Sequence, residues 1–503
     1  MLPLFGWATV SFGAVTIERV GVVGPEGPDH VLVPFEVPDG IVEIQVEHTT
    51  TSVGDVLDWG LDDPEGFRGW GGGNVEDAMV GVQAASRSYV PGPMPSGTWS
   101  VVIGRAKLAS PEAGYQLRIT LRSAEDGATL AAQPERRPYA DVAPLATGWA
   151  WYAGDLHVHS RESGDASPTV DAAASAAELA GLDFLVLTEH NTDAHLTLLG
   201  DAQTRTPVLL VPGIEWTSYD GHAGLFGATA WVNHRVGLGG WTAEDAFAAA
   251  RAQGALPVVN HPSLDLGDLC IGCAWDQPVD PAGVAAIEVL TGGWAAVSRV
   301  AYGPNLALWE SWLDAGARVA AVGGSDDHAA GDGSGPTYSP IGSPTTRLLA
   351  RELSVPALRE ALAAGRTMVQ LRGASDPVLR LEAEADPLDG SDVPDDRPWT
   401  ATVEGAEGLT LQWIVQGAVV HTVAVTADPF VDVRSFDAPP SGLRVRLALV
   451  DGDTPRVLTG YRWLADVETP STGAPDGCGC AAARGVGFGA VIGALALAWG
   501  RRR

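Results

Sequence analysis

Lysine is almost missing from this chain: Lys107 is the only one, and every other fixed cation is an arginine. Lys and Arg together number 31 against 62 Asp and Glu, a formal net charge of −31. So acidic a surface repels phosphate backbones and excludes nucleic-acid binding as the main function. Cysteine is scarce too, with four in 503 residues, which excludes a disulfide scaffold. No apolar run reaches the roughly 20 residues that a membrane-crossing helix needs. What is present is 46% apolar residues, enough to bury sizeable cores and to argue against disorder. At 503 residues the chain exceeds what one core organises, so roughly two to four domains are expected.

The two ends differ in kind. MLPLFGWATVSFGA (1–14) is apolar but lacks the basic start of a secretory signal. It reads either as a first strand or as the distal part of a signal that begins upstream. At the other end, a polar stretch (468–477) precedes Cys478 and Cys480, an apolar segment (486–499), and Arg501, Arg502 and Arg503. Fourteen residues rise only about 21 Å as a helix, short of a hydrocarbon core of about 30 Å. This tail resembles the MYXO-CTERM sorting tag of myxobacterial surface proteins. The resemblance implies export and attachment to the cell surface or outer envelope through residues 468–503.

Between the ends the rhythm changes twice. Apolar alternation at 31–37, 41–46, 99–103 and 115–121 reads as strands, with little helical periodicity, and predicts an N-terminal β-sandwich-like domain over 1–145. From residue 151 strand and helix alternate. Strands are expected at 184–187, 208–211, 256–260, 285–290 and 319–322, and helices at 169–180, 242–253, 306–315 and 355–364. Repeated βα units with apolar strands predict a parallel sheet closed into a barrel over 151–372. Alternation returns after Gly373, predicting a small C-terminal β domain over 373–467 with a disordered loop at 386–398.

Eight of the eleven histidines fall between 157 and 328. They sit in DLHVHS (155–160), TEHN (188–191), GIE (213–215), GH (221–222), NHP (260–262) and GSDDH (324–328), mostly at predicted strand ends. Active sites of βα barrels occupy the C-terminal ends of the strands, so these motifs converge in space. On a strand, residues two apart share a face, so His157 and His159 can share a metal. Imidazole with carboxylate and no thiolate suits Zn, Mn or Fe, and Mg less well. His195 and His234 lack such context and read as surface residues. Cys270 and Cys273 form a CxxC with no evident metal partner, and are expected to pair as a local disulfide in an oxidising compartment.

In this order the motifs resemble the PHP (polymerase and histidinol phosphatase) superfamily across about 151–372, and within it the CehA/McbA branch of metallohydrolases. LDWGLDDP (57–64), FRGWGGG (67–73) and VPGPMPSGTW (90–99) are similar to the β domain that precedes the catalytic domain there. The resemblance implies an α/β fold, a distorted (β/α)7 barrel, and two to three divalent ions. By it, His157, His159, Glu215 and Asp326 hold one ion, and Glu215 bridges to a second completed by His222 and His261. Asp165, His190 and His328 hold a third. Where the family reads Ser-Asp-Gly this chain has Ser163, Gly164 and Asp165, and Glu189 stands where Asp is commoner.

Clustered ions lower the pKa of bound water from 15.7 towards about 7, so no side-chain nucleophile is required. None is evident. The expected activity is metal-dependent hydrolysis, foremost of phosphate esters, of a small-molecule substrate. The runner-up is hydrolysis of uncharged esters, carbamates or amides. A third reading, of another class, is a surface binding protein with a structural metal. Glu215 and Asp326 are candidate acid–base helpers, and Arg161 and Arg347 are weak candidates for binding an anionic substrate.

Overall fold

The structure, a computed structural model, describes residues 13–131, 133, 136–335, 338–383, 398–436 and 443–464. Residues 1–12, nearly all of the 386–398 loop and the 468–503 tail lie outside the described residues.

The N-terminal segment folds as two four-stranded antiparallel sheets. One runs Val15–Val23, Ala113–Ser123, Ile41–Thr50, Ala78–Gly81 in spatial order; the other runs His30–Val37, Gly97–Lys107, Val56–Asp63, Gly66–Gly72. Period-two patterning places Val33, Phe35 and Val37 inside while Pro34 and Glu36 face out. Those side chains meet Trp99, Ile103, Leu61 and Ile44 in one core shared by both sheets, the arrangement of a sandwich.

The second region begins with the long strand Thr147–Val158. Phe184–His190 pairs parallel to it and Leu209–Ser218 pairs parallel to Phe184–His190. Phe184–His190 and Leu209–Ser218 are buried along nearly their whole length because helices and other strands cover both faces. The expected helices are present: Val170–Leu179 behind Thr169, Ala243–Ala252, Tyr302–Asp314 and Val355–Ala363. Thr242 and Asp245 form a reciprocal capping box at the start of Ala243–Ala252.

The uniformly parallel sheet is corrected. Gly221–Phe226 folds back antiparallel on Leu209–Ser218, and Thr345–Glu352 lies antiparallel to Thr147–Val158. Leu256–Val259, Ala286–Thr291 and Ala320–Gly324 then run parallel to one another. A turn of two residues between Ser218 and Gly221 permits only a hairpin, since a parallel return needs a crossover of a dozen or more residues. The ring closes at its mouth, where Val158 bridges Asp327 and the Asp326 amide donates to the His157 carbonyl at 2.8 Å. Gly324 makes that closure possible: a Cβ there would stand 2.4 Å from the His157 Cβ.

The C-terminal strands continue the same sheet. Thr367–Gln370 pairs with Thr345–Glu352 on one edge and with Thr454–Thr459 on the other, leading to Leu443–Asp451, Thr410–Val415 and Ala418–Ala424. A separate three-stranded sheet, Val378–Ala383, Trp399–Glu404 and Phe430–Arg434, packs against them over Trp399 and Trp413.

Candidate metal centre

All nine residues nominated from the motifs meet at the mouth of the ring. His157 and His159 end the strand Thr147–Val158, and their Nε2 atoms lie 3.1 Å apart. Glu215 sits at the middle of the group and is fully buried. Its Oε1 lies 3.1 Å from His157 Nε2, 3.4 Å from His222 Nδ1 and 3.3 Å from His261 Nε2. Its Oε2 lies 3.5 Å from His159 Nε2 and 2.8 Å from His190 Nδ1. Asp326 Oδ1 approaches His157 and His159 at 3.3 and 3.1 Å. Asp165, whose side chain is 53% exposed, bridges His190 and His328 at 3.4 Å each.

These separations suit shared ions. Donors each 2.0–2.2 Å from one ion stand about 3.0–3.6 Å from one another. Donor sets within reach of a common point include His157, His159 and Glu215, all buried; His190, Glu215 and His222; and His159, His190 and His328. His222 Nε2 is buried without a hydrogen bond, an atom that a cation would satisfy. The donor set therefore fits divalent ions held by imidazole and carboxylate.

Supporting groups fix the rings. Glu288 Oε1 contacts His157 Nδ1 at 3.1 Å, the Cys273 carbonyl contacts His261 Nδ1 at 3.1 Å, and Ser163 Oγ contacts His159 Nδ1 at 3.0 Å. Asn260 donates to Glu215 Oε1 at 2.9 Å. Such partners set which ring nitrogen faces the ion. Glu189 points away from the cluster and accepts from the Ser160 amide and hydroxyl, clamping the chain after His159. Asn191, His261 and Asp326 adopt positive φ of 53°, 29° and 56°. Each such non-glycine conformation costs about 1–3 kcal/mol, so the surrounding fold holds these motif residues in strained backbone.

Protons meet the carboxylates' demand for positive charge. Burial opposes charge on His157, but Glu215, Asp326 and Glu288 overcome it and hold its pKa well above the ordinary value. Burial likewise opposes charge on Glu215, yet His157, His190 and His222 pull its carboxyl well below the usual range. His159 goes the other way, down to about 3, through burial and the neighbouring His328 and His190.

A cavity of about 870 Å³ opens over the cluster. Its barrel side carries Asp165, His190, His222, His261, Asp326 and His328; its opposite wall is the sandwich, through Asp58 and the stretch from Trp70 to Val75. Gly164 packs so tightly on that stretch that a Cβ would stand 2.7 Å from the Gly71 carbonyl. A third side is the loop that carries Cys270 and Cys273, which are joined to each other as a disulfide. Their sulfurs also lie within reach of His222.

Four sequence expectations are corrected by placement. Arg161 is exposed and lines a different groove, with Arg136 and Arg205. Arg347 donates to Gln370 Oε1 at 2.7 Å and to the Trp151 carbonyl, at the junction of the barrel with the C-terminal sheet. Neither borders the cavity. His195 and His234 are fully buried, not surface residues. His195 bonds the Gly213 carbonyl at 2.9 Å, and His234 packs edge-on against Trp70 and His30 between sandwich and barrel. Residues not nominated from the sequence include Asn260, Glu288, Asp58 and Tyr219. Glu288 carried a signal, a carboxylate inside the apolar run of the strand Ala286–Thr291.

No protein-family model matches the chain, and no curated protein does either. Solved structures overlap it in part. One is a two-domain protein from Bacteroides vulgatus containing a predicted PHP-like metal-dependent phosphoesterase. It is 18% identical, spans 65% of this chain and 99% of its own, and has a TM-score of 0.36. Another is an amidohydrolase from Chromobacterium violaceum, 18% identical over 37% of this chain and 93% of its own, with a TM-score of 0.25.

Proposed function

We propose that the protein is a metal-dependent hydrolase of a small-molecule substrate, acting foremost on phosphate esters. The observation that carries this is Glu215, buried among five imidazoles at the floor of an open cavity. Two to three divalent ions, Zn, Mn or Fe, would be held there by these histidines with Glu215, Asp165 and Asp326, and would supply activated water and offset charge on the group under attack. The chain's residues hold that arrangement: Asn260 orients Glu215, Glu288 orients His157, and the Cys273 carbonyl orients His261. Glu215 is too enclosed to exchange protons with a substrate, whereas the Asp326 side chain is 25% exposed. The test uses protein stripped by chelator, reconstituted with each metal, and assayed on bis(4-nitrophenyl) phosphate. Turnover that survives excess EDTA undiminished ends the reading.

One observation favours the second reading, hydrolysis of uncharged esters, carbamates or amides. Among the described residues lining the cavity, Arg87 is the only Arg or Lys. It is engaged by the Ala166 carbonyl at 3.1 Å, Asn74 at 3.0 Å and Glu76 at 3.3 Å. A 4-nitrophenyl acetate and aryl carbamate series beside the phosphodiester decides between them. Metal binding with no turnover in either series favours a surface binding protein.

We also read the chain as exported and held at the cell surface by its tail, on the strength of Cys478, Cys480, the apolar 486–499 and the terminal arginines. Deleting 477–503 is expected to release an active protein from the envelope. A deletion variant that unfolds, or stays attached, refutes this.

A further inference from the structure

A leaving group departs more easily if it is protonated, and the metal cluster offers little for that task. Glu215 is enclosed by imidazoles, and Asp165 and Asp326, though 53% and 25% exposed, each contact imidazoles as well. The sandwich wall supplies a different group. Asp58, on Val56–Asp63, borders the same cavity as Asp165, His190 and His222. Its Oδ2 accepts a 2.7 Å hydrogen bond from the Tyr219 hydroxyl, which comes from the barrel's hairpin. A glycine keeps this place open: a Cβ on Gly104 would stand 2.1 Å from the Tyr219 hydroxyl and 3.2 Å from the Asp58 Cβ. Arg235 is held by Asp62 through two contacts of 2.6 Å. Burial, with the Asp165 carboxylate adding to it, pushes the Asp58 carboxyl up to about 6, and Tyr219 and His190 across the cavity offset this only in part. A carboxyl that is protonated near working pH is what general acid catalysis requires.

We propose that Asp58 is the general acid of the reaction, held in place by Tyr219, so that the sandwich completes an active site whose metal ligands all lie in the barrel. This rests on the hydrolase reading above. Water adds to the phosphorus or carbonyl carbon, and the bond to the leaving oxygen or nitrogen breaks with its electron pair going to that atom. The Asp58 proton moves to the same atom, leaving a carboxylate that Tyr219 continues to hydrogen-bond. The proton lost by the attacking water goes to solvent, and solvent reprotonates Asp58 before the next turnover.

The test compares esters of one acid with an activated and an unactivated leaving group, 4-nitrophenol against a simple alkyl alcohol. A 4-nitrophenolate needs no proton to depart. In Asp58→Asn the ratio of kcat/KM for the aryl over the alkyl ester is expected to rise about 100-fold, the lower range of general acid effects. Tyr219→Phe, which keeps the carboxyl but frees it, is expected to shift the ratio the same way by less. Metal content and melting temperature are measured alongside, and a purely structural role would move those and leave the ratio alone. An unchanged ratio in folded, metal-loaded Asp58→Asn overturns the proposal; if that variant does not fold, an unchanged ratio in Tyr219→Phe does so. A wild-type protein that hydrolyses neither ester refutes the parent reading instead, and this proposal falls with it.

Discussion

Glu215 is the residue on which the centre depends, because only a carboxylate offers two oxygens to two cations. Its oxygens face different groups of imidazoles, His157, His222 and His261 on one side and His159 and His190 on the other. Glu215→Ala is therefore expected to lose two ions where His328→Ala loses one, counted by elemental analysis after gel filtration. Equal losses would contradict a bridging role. The histidines outside the cluster predict something else. Burial lowers His30 and His195 to about 3, with Arg235 and Arg105 adding to the effect on His30, and burial takes His234 well below 6.5. The unfolded chain binds protons from pH 6.5 downward and the folded one does not. Stability is thus complete above pH 6.5 and falls as pH drops towards about 3, by about 2 kcal/mol per histidine between 6.5 and 5. Urea midpoints across that range should show the slope, and His195→Gln, which keeps a donor for the Gly213 carbonyl, should flatten it. A slope unchanged in that variant would remove His195 from the account.

Among the elements, the loop closed by Cys270 and Cys273 has the most direct hold on the centre, through the Cys273 carbonyl on His261. Opening the ring with a phosphine reductant, or with Cys270→Ser, should weaken metal binding about 10–100-fold, the usual effect of losing a ligand's support. Competition against a fluorescent chelator measures this, and unaltered affinity would show that the loop holds its shape without the disulfide. Helices and central strands were legible in the sequence because their signals are local: Thr242 with Asp245, and unbroken apolar runs such as that in Phe184–His190. Strand direction was not. Gly221–Phe226 (GHAGLF) and Thr345–Glu352 (TTRLLARE) break the apolar run with polar residues and glycine and were not expected as strands, and only pairing shows that they run antiparallel.

Across the whole molecule, the sandwich is fastened beside the cavity. Arg235 reaches from the barrel to Asp62 of the sandwich through two contacts of 2.6 Å, with both side chains largely buried. Phe67 stacks on Trp231 at 4.4 Å in the same contact. Removing one partner of a buried ion pair leaves the other charge stranded, so Arg235→Ala should destabilise the protein by about 3–5 kcal/mol in chemical denaturation. An effect below about 1 kcal/mol, the range of surface pairs, would mean that water reaches Asp62 freely. At the far end Glu310 binds Arg444, Arg446 and the Tyr461 hydroxyl, tying helix Tyr302–Asp314 to the C-terminal sheet. The C-terminal strands extend the same sheet through the pairing of Thr367–Gln370 with Thr454–Thr459.

What the sequence by itself determined is a donor set suited to divalent ions and the βα rhythm. Histidine and carboxylate donors stand near strand ends, and the two-residue spacing of His157 and His159 puts both on one face of a strand. These features are local, so they are written in short motifs. What only the tertiary structure decided is everything that depends on two distant segments meeting. Arg161 follows the first motif and yet faces away, because a short 3-10 turn at Arg161–Ser163 carries it to the outside. Asp58 lies about a hundred residues before the first metal motif in a strand of another sheet, and no spacing relates it to Tyr219. Its part in the cavity wall exists only because the sandwich packs over the mouth of the ring, and burial there, not sequence context, keeps its carboxyl near neutrality.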